Sequence, residues 1–357
     1  MSEVVSLLKS LIRIPSVSRQ EKDIADFLEA YVQAAGLNVE RIGDNVLFHL
    51  GDGPHTLLLA THLDTVPPPS RALYPPFDAV EAEGRIYGRG AVDAKGCVAT
   101  MTQAVIDLYR EGYTPPGRVT VACTVGEEIG GTYNGMAYLV EHGYLQPHAA
   151  LIGEPTSLMP CIAQKGLLIL KVTMHGQACH AARSPEDTAI TRAAEAILCL
   201  RDISWERSDP LVGYPRVTVT QMEAKGGSRN VVPDTCSFWL DIRSTPAYTH
   251  DELIRLIAQI VGEGGDIHIH SKRLVPVRTP AEHPIVQACL QASPGSQPVG
   301  SPTLSDWVFL AHVPAVKIGP GDSECSHTDN EYITREELSS GVSLYKRIIR
   351  QYFTSIA

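Results

Sequence analysis

Nowhere in the 357 residues does an apolar run approach the ~20 residues needed to cross a bilayer, so no membrane span is expected. The opening MSEVVSLLKSLIRIPS is acidic at once and lacks the basic start and small-residue cleavage site of a signal peptide. It reads as an amphipathic helix, and the expected location is cytoplasmic. A basic excess is also missing: the net charge is −10, which argues against nucleic acid or an anionic membrane as partner. The eight cysteines form no C-x-x-C pair and mostly sit in apolar runs. They read as small buried hydrophobes, with neither a disulfide framework nor a thiolate zinc site. Internal repeats, low-complexity tracts and long charge blocks are absent too. What is present is an ordinary globular composition, 44% apolar and 20% charged, at a length that favours two domains over one.

The first part of the chain alternates helical and strand patterns. Helical spacing covers 2–12 and 19–36, HTLLLATHLD (55–64) is a strand, and residues 98–112 form a helix. RVTVACTVGEE (118–128) and HAALIGEP (148–155) are strands again. This alternation predicts an α/β domain with a mostly parallel sheet covered by helices. From 167 the texture changes to strand (167–177), helix (185–203), strands (216–224 and 235–244), helix (249–264) and strand (266–274). That order predicts a ferredoxin-like α+β unit. Helix and strand patterns return in EHPIVQACLQA and VPAVKIGPGDS. The expected organisation is one domain from 1–165 and 277–357, with 166–276 inserted.

Chemistry concentrates at the strand ends. LLLATHLD delivers His62 and Asp64, VTVACTVGEE delivers Glu127 and Glu128, AALIGEPT delivers Glu154, and His327 follows PAVKIGPGD after a loop. Asp93 lies in the Gly-rich turn YGRGAVDAKG. In an open α/β sheet, ligands bind just beyond the carboxyl ends of the strands. Two adjacent glutamates repel each other and are costly to bury. A pool of imidazoles and carboxylates suits divalent ions such as zinc, and it exceeds what one tetrahedral ion can use, which suggests two metals sharing a carboxylate. Nearby cations would keep the neighbouring carboxylates ionised. Taken singly, each of these residues reads first as a cap, a turn residue or a solvated side chain; their joint placement at one sheet edge is what points to a site.

THLDTVPP, GRGAVDAKGCVA, TVGEEIGG, IGEPT, HGQACHAA, GGSRNVVPD and GPGD…SHTDNEYI, in this order over about residues 5–350, resemble the di-zinc aminoacylase/carboxypeptidase family. Its members include acetylornithine deacetylase, succinyl-diaminopimelate desuccinylase, carboxypeptidases and dipeptidases. The resemblance implies a zinc-peptidase-like catalytic domain whose inserted domain serves as lid and dimerisation module, and hence a homodimer. It implies two Zn2+ per subunit, replaceable by Co2+, with Asp93 bridging, Glu128 and His327 completing one site, and His62 and Glu154 the other. Asp64 would fix the His62 tautomer. Glu127 would be the general base, its pair aimed by the flanking glycines. A cis peptide is expected at Asp93–Ala94; Ala94 itself departs from the acidic residue or Met common there.

In the inserted domain, His180 matches a histidine that reaches the partner subunit's site and stabilises the oxyanion; it reads otherwise as a turn cap. Asn230 and Arg243 match substrate contacts, Arg243 for a carboxylate, although Arg243 could pair locally. Gly321 belongs to a Gly-rich loop suited to the substrate carboxylate. Asp306 could meet a side-chain amine or cap a helix. The implied activity is metal-dependent hydrolysis of an N-acyl amino acid amide, nearest to acetylornithine or acetyl- or succinyl-citrulline deacylases of arginine biosynthesis. N-acetyl-lysine deacetylase, succinyl-diaminopimelate desuccinylase and a di-zinc carboxypeptidase or dipeptidase are the alternatives. A non-catalytic binding module is the rival class, and it would be expected to lack Glu127 or a ligand.

Overall fold

The computed structural model describes residues 2–129 and 133–356. Its chain forms two compact units, one of Met1–Ile162, Arg278–Val299 and Ser305–Ala357, the other of Ala163–Val277 and Gly300–Leu304.

The first unit is built on an apolar run that never alternates. Thr56–His62 is buried from Leu57 onward. A strand with both faces covered gains from apolar side chains at every position, about 1.5–3 kcal/mol for each buried Leu. It lies parallel to Arg118–Thr124 on one side and Ala149–Ile152 on the other. Ala315–Lys317 extends the parallel set beyond Ala149–Ile152. Their carboxyl ends therefore share one edge. An antiparallel hairpin, Val39–Ile42 and Asn45–Leu50, joins the opposite side through Arg118–Thr124.

Helices Glu3–Arg13, Lys95–Arg110, Arg335–Ser355 and Pro284–Ala292 pack in succession. Lys95–Arg110 is buried on almost every face. Lys95 itself is fully buried, and its Nζ donates at the end of the first helix to the carbonyls of Ile14 (2.8 Å) and Leu11 (3.0 Å), the latter also accepting from the Ile14 amide (3.2 Å). Burial lowers its pKa to about 7. A small sheet of Val80–Ala82, Arg85–Tyr87 and Tyr332–Thr334 pairs the chain just after His327 with the chain just before Asp93.

The second unit follows the opposite rule. Along Gly166–His175 burial alternates residue by residue, with Leu168, Leu170, Val172 and Met174 in its core. The sheet order is Arg216–Glu223, Thr235–Ser244, Gly166–His175, Gly265–Leu274, all antiparallel, which is the ferredoxin-like arrangement expected. Helices Ala189–Arg201 and His250–Val261 pack on the inner face, each opened by a capping box, at Thr188 and Thr249. No described helix is long and apolar enough to cross a membrane.

Candidate metal centre

Asp93 stands between two histidines. Its Oδ1 lies 3.1 Å from His62 Nε2, and its Oδ2 lies 3.5 Å from His327 Nε2. Each histidine has a second carboxylate on its own side: Glu154 Oε1 is 3.9 Å from His62 Nε2, and both oxygens of Glu128 are 3.0 Å from His327 Nε2. Ligand atoms of His62, Asp93 and Glu128 all lie within 4.8 Å of one another. The parallel strands put His62, Glu128 and Glu154 at one edge, His327 comes from a loop beyond the Ala315–Lys317 strand, and Asp93 precedes the Lys95–Arg110 helix across a cis Asp93–Ala94 peptide.

The buried carboxylate of Asp64 aims the glutamate pair. Its two oxygens accept from the amides of Glu127 and Glu128, each at 3.1 Å, and Ser18 Oγ donates to Oδ2 at 2.7 Å. His62 Nδ1 donates to the Asp64 carbonyl at 3.0 Å, with the Asp64 carboxylate at 3.4 Å, so the main chain makes the shorter contact. This fixes the ring so that Nε2 is the atom facing Asp93. Gly126 makes the turn possible: its φ is +73°, and a Cβ there would lie 2.1 Å from the Tyr133 carbonyl. Gly130 and Gly131, the glycines on the other flank, lie outside the described residues.

Electrostatics favour a cation. Burial above all, then repulsion from Glu154, pushes the Glu127 carboxyl well above its usual range. Burial, with Asp93 adding to it against Lys317, raises Glu154 to about 8. Burial also opposes the charge on Asp93, yet His62 and Ser326 hold it at about 2. His62 is disfavoured as a cation by burial, but Asp64 and Asp93 outweigh this and raise it well above 6.5. Among the described residues, nothing hydrogen-bonds to the Glu127 carboxylate. Nitrogen and oxygen donors in a carboxylate-rich cluster fit one or two divalent ions.

Two contributors escaped the sequence reading. Ser326 Oγ donates to Asp93 Oδ2, and Ser18 holds Asp64. A lone serine near a motif carries no signal of its own. Asp306 proves to be internal: it is buried, accepts from Thr124 Oγ1 (3.0 Å) and Asn134 Nδ2 (2.8 Å), and burial raises it to about 6. Gly321 is buried with φ +87°, and its carbonyl accepts from the Ser157 amide at 2.7 Å.

In the second unit, the pair Cys179–His180 and Val231–Val232 brings His180 beside Asn230, whose carbonyl accepts from the Ala181 amide at 2.9 Å. His180 is exposed and its Nδ1 accepts from the Ala182 amide at 3.1 Å, as a turn cap does. The neutral ring then carries its proton on Nε2. The Asn230 side-chain oxygen accepts from Ser228 Oγ. Arg243 engages Asp241 through Nε (2.8 Å) and a terminal nitrogen (3.2 Å), the local pairing that was the alternative.

The carboxyl edge of the parallel sheet and the loops beside it thus gather two histidines and a cluster of carboxylates, a donor set that fits divalent metal. Residues 58–351 match Peptidase family M20/M25/M40. The chain is 30% identical over 359 residues to a Peptidase M20 domain-containing protein of Schizosaccharomyces pombe, covering 97% of this chain and 84% of that protein. It belongs to that family, and it is a hydrolytic enzyme. It is also 28% identical over 378 residues to an acetylornithine deacetylase of Edwardsiella ictaluri, covering 98% and 97% of the two chains. Its fold matches an M20 family metallo-carboxypeptidase from Sulfolobus solfataricus with a TM-score of 0.76 at 21% identity, over 99% of this chain and 100% of that one.

Proposed function

We propose that the chain is a two-metal deacylase that cleaves the amide between a small acyl group and the α-nitrogen of an amino acid, with N-acetylornithine as the first candidate. The observation that carries the reading is the Asp93 carboxylate, which offers one oxygen to each of two histidines, each of these facing a further carboxylate. The resemblance to acetylornithine deacetylases over nearly the whole of both chains supports the substrate class.

Asp93 would bridge two zinc ions, with His62 and Glu154 holding one and His327 and Glu128 the other; cobalt would suit the same donors. When bound, the ions polarise the amide carbonyl and acidify the attacking water. Glu127 takes the proton from that water as its oxygen attacks the carbonyl carbon, and gives it to the nitrogen as the C–N bond breaks. Burial and Glu154 disfavour charge on the Glu127 carboxyl, and bound cations would offset this and leave it ionised to accept that proton. Asp64 contributes by fixing the amides of Glu127 and Glu128 at once. His180 is assigned the oxyanion donor, supported by its Nε2–H tautomer. Asn230, Arg243 and the Gly321 loop are assigned to the substrate, and Arg243 would have to exchange Asp241 for it.

The 166–276 segment is assigned to lid and homodimer formation. Exposed Ile190 and Leu198, with Ala194 between them at helical spacing, and the outer strand Arg216–Glu223 of the four-stranded sheet support it. Leu198→Glu should then give a monomer by light scattering. Eight unpaired cysteines support a reducing, cytoplasmic setting. The deciding experiment measures metal content, then hydrolysis of N-acetyl- and N-succinyl-ornithine, -citrulline and -lysine beside dipeptides. Metal-dependent release of acetate from acetylornithine is expected. A metal-loaded protein that cleaves only peptides overturns the substrate class, and a protein that binds no metal overturns the mechanism.

A further inference from the structure

The turn that delivers Asp93 is organised around a second carboxylate. In GRGAVD (88–93), the amides of Gly90, Val92 and Asp93 converge on one point, as amides do around a bound anion. Here the chain supplies its own anion, Glu331. Its Oε2 accepts from Arg89 (2.7 Å) and the Gly90 amide (3.0 Å), and its Oε1 accepts from the amides of Val92 (3.0 Å) and Asp93 (3.1 Å). Glu331 is 4% exposed, and its own carbonyl accepts from the Gly88 amide at 3.1 Å. Arg89 is anchored in turn, its Nε donating to the Pro67 carbonyl at 3.2 Å.

Glu331 and Asp93 are 238 positions apart in sequence. Glu331 follows His327 by four residues and enters the turn where Tyr332–Thr334 pairs with Arg85–Tyr87. One carboxylate thus fixes the main chain at Asp93 and joins it to the segment that carries the facing histidine. Four donors use the full accepting capacity of a carboxylate. A glutamine would turn an amino group toward two of them, so the charge and the chemistry are both required.

We propose that Glu331 is a positioning residue of the metal centre: by clamping the 88–93 turn to the His327 segment, it sets the affinity of the site for its metals. This rests on the two-metal reading above, and the test separates the two. The variants are Glu331→Gln and Arg89→Lys, the second leaving all three amide contacts in place. Zinc affinity is measured by competition with a chelating dye, Co2+ coordination by visible absorption, and the metal-free fold by far-UV circular dichroism in chelator.

Glu331→Gln should bind zinc about 10–100-fold more weakly and shift the Co2+ spectrum, while its metal-free fold is retained. At saturating zinc its kcat should fall with KM little changed. Arg89→Lys should lose about threefold or less in affinity, because the amides still hold the carboxylate. Wild-type zinc affinity and Co2+ spectrum in Glu331→Gln overturn the inference. So does loss of the native fold in metal-free Glu331→Gln, since Glu331 would then hold the fold and not the centre. If the wild-type chain binds no zinc, the two-metal reading fails first and the inference falls with it.

Discussion

The two units use strands in contrasting ways. Thr56–His62 is buried at every position after the first, whereas Gly166–His175 buries every second residue. A strand covered on both faces has nowhere along its length for a polar side chain, so its polar residues gather where it ends. An alternating strand spreads them along its open face, where Lys171 lies 5.8 Å from the Trp239 ring and Thr173 bonds Ser237 at 2.9 Å. The first pattern concentrates charge into a cluster that attracts a cation, and the second disperses it. The candidate ligand cluster and the one-sided core thereby fall in different units, and that separation can be tested.

The largest effect should come from Glu127→Ala, which should lower kcat by about 10²–10⁴-fold while metal content stays at the wild-type level. Near-wild-type turnover would remove Glu127 from the chemistry. Next, Phe238→Ala in the core of the second unit should cost about 3–5 kcal/mol of that unit's stability by denaturant titration. Zinc affinity should stay unchanged; a tenfold loss would show that the units are not independent.

Removing metal should act the other way round. At zinc a hundredfold above its dissociation constant, binding adds about 2.7 kcal/mol, lost in chelator. Hydrogen exchange should register this in 56–64, 118–128 and 149–154 and not in 166–274. The smallest effect is Thr249→Ala, about 1 kcal/mol through loss of a helix cap. Glu252 in that capping box is held down to about 2, first by the Thr249 amide and then by Arg207. A depressed carboxyl stabilises fully above its ordinary 4.5, and that contribution is lost as pH falls toward 2. The acid dependence of the second unit's stability should therefore flatten in Glu252→Gln and persist largely in Thr249→Ala, which keeps the Thr249 amide and Arg207.

Much of this was legible because pattern and chemistry coincide. The apolar runs that end in His62, Glu127 and Glu154 mark both a strand and its functional end, and the period-two run at 167–177 marks a one-sided sheet. Thr249 and Glu252 announced their helix. Other parts left little trace. Asn45–Leu50 is buried at every position but one and is only six residues long, too short to separate from other apolar stretches. The Val80–Ala82, Arg85–Tyr87 and Tyr332–Thr334 strands are three residues each and exist through partners distant in sequence. The 21-residue Arg335–Ser355 helix has its signal in the capping box of Thr334 and Glu337. Ser18, Ser326 and the Arg89–Glu331 pair acquire their roles only through tertiary contact, which no local pattern encodes.

The spacing of the ligands also bears on how the enzyme is made. Asp93 follows His62 by 31 positions, whereas His327 comes only after the whole 166–276 segment. A chain still being synthesised offers, until residue 327 emerges, only one of the two histidines that face Asp93. The two-sided arrangement around Asp93 thus waits for the 166–276 segment to be made, and a chain terminated before His327 lacks one of its sides.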